Sequence, residues 1–196
     1  MDKTDIEKSI GLIISGTEEE KERAADVLIE AGRSFPEQTI AALQPLETDR
    51  DARWWQARIL AEIPGSRAGA YLVSLLCDPD EDTSVCAILA LGERRQADSV
   101  ENLYELMLPS NAYVARHIGD ALSKIGEPAV PALIQALQND RPLVRAEAAR
   151  ALVRIESQQS IPALIRALDD PEPAVEHHAW NALQRMGVGE TIFFKP

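Results

Sequence analysis

Along the chain, leucine, isoleucine, valine and alanine recur three or four and then seven or eight positions apart, the spacing of a helix with one buried stripe. The stripes come in pairs, separated by short polar turns such as QNDRP, DDPEP and LPSN. Asp, Asn, Ser and Pro in those turns stop one helix and start the next, because Pro fits a first turn and a short polar side chain accepts free backbone amides. The paired pattern is itself periodic. Residues 130–155 lie over residues 160–186 with Pro131 on Pro162, Leu133 on Leu164, Val144 on Val175 and Leu152 on Leu183, every offset being 31. A step back of 30 places Leu103, Val114 and Leu122 at the same positions, and a further 31 places Leu72, Thr83 and Leu91. Ala52, Leu60 and Ile63 continue the series and residues 21–32 begin it, so there are six units, of which the first two are the most degenerate.

A helix pair patterned this way cannot bury its apolar face alone, so neighbouring pairs must stack. The expectation is an all-α solenoid of about six helical pairs, with helices of roughly 10 to 16 residues. No linker divides the chain, so residues 1–196 read as a single repeat domain, with 187–196 as a C-terminal capping tail.

The stretch IGEPAVPALIQALQNDRPLVRAEAARALVRI resembles the short HEAT-like repeat of bacteria and archaea, the phycobilisome-lyase type. The resemblance is carried by the Pro-Ala-Leu opening (Pro131, Ala132, Leu133), by the turn built on Asp140, Pro142, Val144 and Arg145, and by the Ala-rich second helix. It is specific over residues 97–187 and looser before them. It implies a right-handed α-α superhelix in which the second helices line a concave surface. Some relatives of this type attach or detach bilin pigments, and others are adaptors. No lyase signature matches here residue by residue, so a bilin or phycobilisome lyase-type enzyme, or a chaperone handling a pigment or small molecule, stands as the alternative to a scaffold.

Composition narrows the partners. Hydrophobic residues make up 45% and aromatic residues 5%, which favours helix-on-helix packing over sheet. The net charge is −12, and residues 1–98 hold 20 acidic against 11 basic side chains while the remainder hold 12 against 9. Such a surface repels phosphate backbones and anionic lipid heads, so neither nucleic acid nor membrane is expected as a partner. There is no apolar run long enough to span a bilayer, no secretory pattern at MDKTDIEKSI, and Cys77 and Cys86 do not make a disulfide framework; the reading is cytoplasmic, a monomer or weak dimer.

The candidate chemistry sits on the second helices. In the frame where Val144 is position zero, position three reads Trp55, Cys86, His117, Glu147 and His178, and position six reads Arg58, Leu89, Asp120, Arg150 and Asn181. Both lie off the buried stripe at zero, four, seven, eight and eleven. A strip bearing Trp55, Arg58, His117, Asp120, Glu147, Arg150, His178 and Asn181 offers the aromatic and guanidinium groups that protein interfaces favour, and a protein partner is expected on it. Position ten runs from acidic (Glu62, Glu93) to basic (Lys124, Arg154, Arg185), which would orient a partner. His177 and His178 are adjacent, so their side chains diverge instead of sharing an ion, and no HExxH or CxxC spacing occurs; neither metal, cofactor nor catalytic residues are expected, and the chain does not read as an enzyme. Trp180 stands where other units carry Ala57, Ile88, Gly119 and Ala149, and with Phe193 and Phe194 of the tail it is expected to cap the open end of the stack. Cys77 and Cys86 read as buried thiols.

Overall fold

Capping chemistry cuts the chain where the turns predict. Thr17 accepts from the Glu20 amide while Glu20 reaches back to the Thr17 amide, and Asp49, Asp80 and Asn111 accept from the amides of Ala52, Thr83 and Val114. The last two second helices start instead on Pro142 and Pro173 with no side-chain cap, since Pro has no amide to satisfy. The computed structural model describes residues 3–188, and among them are twelve α-helices and four short 3-10 segments, with no strand.

Contacts divide the chain into two units, Met1–Arg94 and Arg95–Pro196. In the first, α1 (Lys3–Ser15) pairs with α2 (Glu18–Ser34), α3 (Pro36–Ala42) precedes α4 (Arg50–Glu62), and α5 (Ser66–Ser74) pairs with α6 (Glu81–Glu93). In the second, α7 (Val100–Met107) pairs with α8 (Ala112–Ile125), α9 (Val130–Ala136) with α10 (Pro142–Ile155), and α11 (Ile161–Ala167) with α12 (Pro173–Arg185). Second helices pack on second helices: α2 on α4 and α4 on α6 in one unit, α8 on α10 and α10 on α12 in the other.

The first helix of most pairs is shorter than expected, seven residues in α3, α9 and α11. In the second unit, part of each first-helix segment is spent on a 3-10 turn, at Ala97–Ser99, Glu127–Ala129 and Gln158–Ser160. Ser99 and Ser160 donate their hydroxyls to the carbonyls of Gln96 and Ser157, each at 2.7 Å, which tightens the turn and aims the helix that follows.

The repeat positions keep their burial. Leu72, Leu103, Leu133 and Leu164 on the first helices are all 0% exposed, as are Leu60, Leu91, Leu122, Leu152 and Leu183 on the second. Beyond this apolar core, arginines tie each pair to the next within a unit. Arg53 grips Asp78 with two hydrogen bonds of 2.7 and 3.2 Å, and Arg145 grips Asp170 with two of 2.7 and 2.9 Å. Asp78 and Asp170 each also accept from an amide two residues on, so one carboxylate shapes its own turn and holds the preceding helix. The arginine of the family-like turn is therefore a structural clamp.

Candidate functional site

The surface formed by the second helices can be read one unit at a time. In the first unit, α4 lies between α2 and α6, so a large side chain at position three reaches the seam between helices. Trp55, expected on the contact strip, is accordingly 4% exposed. Its ring meets half-buried Trp54 edge-on at 5.1 Å, and the Arg58 guanidinium lies 4.9 Å from its centroid and 5.9 Å from that of Trp54. Arg58 also pairs with Glu22 at 2.8 Å. What solvent meets here is the half-exposed Arg58 over an aromatic bed, an arrangement that holds a guanidinium flat and in place. Cys86 continues the same ladder on α6, half-buried, with its thiol pushed up to about 11 by burial. Cys77 is exposed, contrary to the buried thiol expected, because α5 ends at Ser74 and the residue falls in the turn.

In the second unit, three of the candidates, Asp120, Glu147 and Arg150, form one polar network. Arg150 is 8% exposed and donates to Asp120 (2.6 Å), to Glu147 (2.6 Å) and to the Arg116 carbonyl (2.8 Å). Arg154 adds a second cation to the same Asp120 oxygen at 2.5 Å. Gly119 makes room: a Cβ there would stand 3.1 Å from an Arg150 nitrogen and 3.3 Å from a Glu147 oxygen. Burial opposes ionisation of Asp120, yet the hydrogen bond from Arg150 and the charges of Arg150 and Arg154 outweigh it and hold the carboxyl below the usual aspartate range. Arg150 is thus a buried strut between α8 and α10; a free contact group was expected at that position.

His117 is half-buried with its ring 4.7 Å from Tyr113, which is 49% exposed. His177 is exposed, His178 half-buried, and their rings meet edge to face at 5.5 Å. Burial first, and then the electrostatic influence of neighbouring His177 and Arg150, push His178 below the ordinary histidine range. Asn181 is exposed and Trp180 half-buried; Phe193 and Phe194, the other two cap candidates, lie outside the described residues. Among the described residues no group of three or more His, Cys, Asp or Glu side chains is placed to hold a metal ion.

Reasoning from offsets missed the clamps and the carbonyl caps. Arg53 and Arg145 are 92 positions apart, three repeats, and so are Asp78 and Asp170, a register that was there to be read. Arg94 left no such trace. It donates to the carbonyls of Leu60, Ala61, Ile63 and Gly65 and so closes the C-terminal end of α4 from the next pair.

Asp80 and Asp170 also have lowered pKa values, Asp80 through Thr83 and Arg50, Asp170 through Arg145. A carboxyl whose folded value is depressed contributes stability that is present above its unfolded value and is lost as pH falls through the folded one. Urea midpoints are therefore expected to dip between pH 7 and 5, where the unfolded chain protonates His178 more readily than the fold does, and to fall further below the ordinary aspartate range, with Asp170→Asn flattening the second fall. A midpoint that stays level into that acid range would remove these three carboxylates from the account.

A family model described as HEAT repeats matches residues 36–123, 75–146 and 130–192. A search of curated proteins returns no match. Among solved structures, the chain is similar to an archaeal HEAT-like repeats protein from Thermococcus onnurineus (11% identity, 95% of this chain and 80% of that one, TM-score 0.58). It is also similar to a structure of the CpcE and CpcF complex of phycocyanin lyase from a Nostoc species (20% identity, 93% and 77%, TM-score 0.53). A designed armadillo repeat protein in complex with the peptide (KR)4 is similar too (18% identity, 92% and 99%, TM-score 0.53). At these identities the likeness is one of fold, an all-α repeat of the HEAT and armadillo kind.

Proposed function

Because the chain belongs to the HEAT-repeat family, its matches running from residue 36 to residue 192, we propose that it works as a non-catalytic scaffold binding a protein partner on the face of its second helices. The observation that carries this reading is a repeated one. On α4, α8, α10 and α12, positions three and six leave the apolar stripe and carry aromatic, guanidinium, imidazole, carboxylate and carboxamide groups: Trp55 and Arg58 in one unit, His117, Asp120, Glu147, Arg150, His178 and Asn181 in the other, while α6 carries Cys86 and Leu89 there. The buried members, Trp55 and Arg150, hold the surface in shape. The solvent-facing members, Arg58, His117, His178 and Asn181 with neighbouring His177, make the contact. Rigid backing and a few accessible polar and aromatic tips are what a protein-binding patch needs, since side chains already fixed lose little entropy on docking. In the same reading the chain acts in the cytoplasm as a monomer or weak dimer; its two cysteines are free, as a reducing compartment leaves them.

The test compares partner capture from native cells by the parent, by an Arg58→Ala/His177→Glu/Asn181→Arg variant, and by a Glu101→Lys/Arg166→Glu variant on the exposed side of the first helices. Partners bound by the parent are expected to fall about tenfold with the first variant and to stay with the second, a difference of roughly 1.4 kcal/mol. Equal capture by all three rejects the face. Mixing the protein with a free bilin is expected to leave the pigment absorbance unchanged; a shifted band followed by transfer to an acceptor protein would replace the scaffold with the lyase alternative.

A further inference from the structure

Across the second helices of the first unit runs an open groove of about 590 Å³. Its floor is apolar, made by Ile29 of α2, Ala61 of α4, and Leu89 and Ala90 of α6. Its walls carry four carboxylates, Asp26, Glu30, Glu62 and Glu93, against two guanidinium groups, Arg33 and Arg58. Both cations are already engaged. Arg33 pairs with Glu62 at 3.1 Å and with Glu30 at 3.8 Å, and Arg58 pairs with Glu22 at 2.8 Å. Lining plus Glu22 therefore comes to five negative and two positive charges, a net −3.

We propose that this groove takes a basic peptide segment of the protein partner, laid across α2, α4 and α6 with its lysine or arginine side chains down. This rests on the scaffold reading above and adds the chemistry of what is bound. Two features select that occupant together. An apolar floor under acidic walls suits a side chain with a long methylene stem and a cationic head, since the stem covers the floor while the head meets a carboxylate. Acidic or plainly apolar segments satisfy one half of that surface and leave the other unmatched. The rung spacing agrees: neighbouring helices lie roughly 10 Å apart, about the length of three extended residues, so a cation at every third position falls on successive helices. The face also differs from that of the second unit, where position ten carries Lys124, Arg154 and Arg185 in place of the acidic Glu62 and Glu93.

The test uses the full chain and a fluorescent octapeptide of alternating Lys and Arg, read by anisotropy, with an octapeptide of Glu as the counter-probe. Parent protein is expected to bind the basic probe, more weakly as salt rises, and to ignore the acidic one. Charge reversal at two exposed wall residues, Asp26→Lys/Glu30→Lys, is expected to weaken binding about tenfold, and the neutral Asp26→Asn/Glu30→Gln about threefold. An equal change of net charge on the first-helix side, Glu37→Lys/Glu47→Lys, is expected to alter it less than about twofold. Circular dichroism melts confirm that each variant is folded. If the first-helix pair loses as much affinity as the groove pair, the attraction is general and the groove proposal is overturned; binding of the acidic probe overturns it as well. No binding of the basic probe, with partner capture still lost in the Arg58→Ala/His177→Glu/Asn181→Arg variant, rejects the basic segment and leaves the scaffold reading standing.

Discussion

Leu133→Ala and Leu164→Ala are each expected to lower the stability of the second unit by about 2–5 kcal/mol, the range for leucines truncated in packed cores. The two residues stand at the same position of successive repeats, on α9 and α11, and both are 0% exposed. Losing either removes apolar surface from its own pair and leaves a cavity that the neighbouring helices only partly fill. α9 packs on α7 as well as on α10, so Leu133 also supports the pair that precedes it. In a stack whose stability is a sum of repeat and interface terms, the interior substitution should be the costlier of the two. Ile165 supplies the control. It adjoins Leu164 on α11 yet is 39% exposed, and Ile165→Ala should change stability by less than about 0.5 kcal/mol. Urea denaturation of the three variants decides the matter. Similar losses for Leu164→Ala and Ile165→Ala would mean that the helix does not present one face inward, and the repeat register would be wrong.

That register was legible because it rests on a period, and a period survives the degeneracy of single residues. Thr83 and Ala52 stand where other units carry valine, yet each is 0% exposed like Val144, since position in the stripe decides burial more than side-chain type does. Turn chemistry was legible for a related reason: Asp49, Asp80 and Asn111 are short acceptors placed just before apolar periodicity begins, and each caps its helix. The polar face was harder. Offsets place Trp55 and Arg150 off the stripe, and off the stripe was read as facing solvent. Their side chains are long enough to lean into the seams, where Trp55 finds Trp54 and Arg58, and Arg150 finds two carboxylates and a carbonyl on and beside α8 and α10. A helical wheel gives the direction of a Cβ and says nothing of where a six-atom side chain ends. Cys77 failed for the opposite reason: the first helix stopped sooner than its apolar run suggested, and the thiol fell in the turn.

The same lesson sets the second large effect. Arg150→Glu is expected to destabilise the second unit by about 3 kcal/mol or more, where an exposed contact residue would change stability little. The side chain is 9% exposed and its partners Asp120 and Glu147 are 24% and 12% exposed, so solvent screens this cluster weakly. Replacing the guanidinium with a carboxylate leaves three acidic groups around one site, with Arg154, 50% exposed, as the remaining counter-charge on Asp120. For a unit of this size the loss corresponds to a fall in melting temperature of roughly 12–24 °C. Charge and shape can be separated. Arg150→Met with Asp120→Asn and Glu147→Gln removes all three charges, keeps the volume, and should recover at least half the loss, because replacing a whole buried ion cluster costs far less than orphaning part of it. Gly119→Ala should act the other way: it leaves every charge in place and presses a methyl group against the guanidinium, so the strain falls on the position of Arg150. If Arg150→Glu melts with the parent, the residue is not a strut, and its place on the contact surface is restored. If the triple variant falls as far as Arg150→Glu, then the hydrogen bonds of the guanidinium itself, and not the relief of unpaired charge, hold α8 against α10. Partner binding lost through Arg150 would then be read as a surface bent out of register and not as a missing contact.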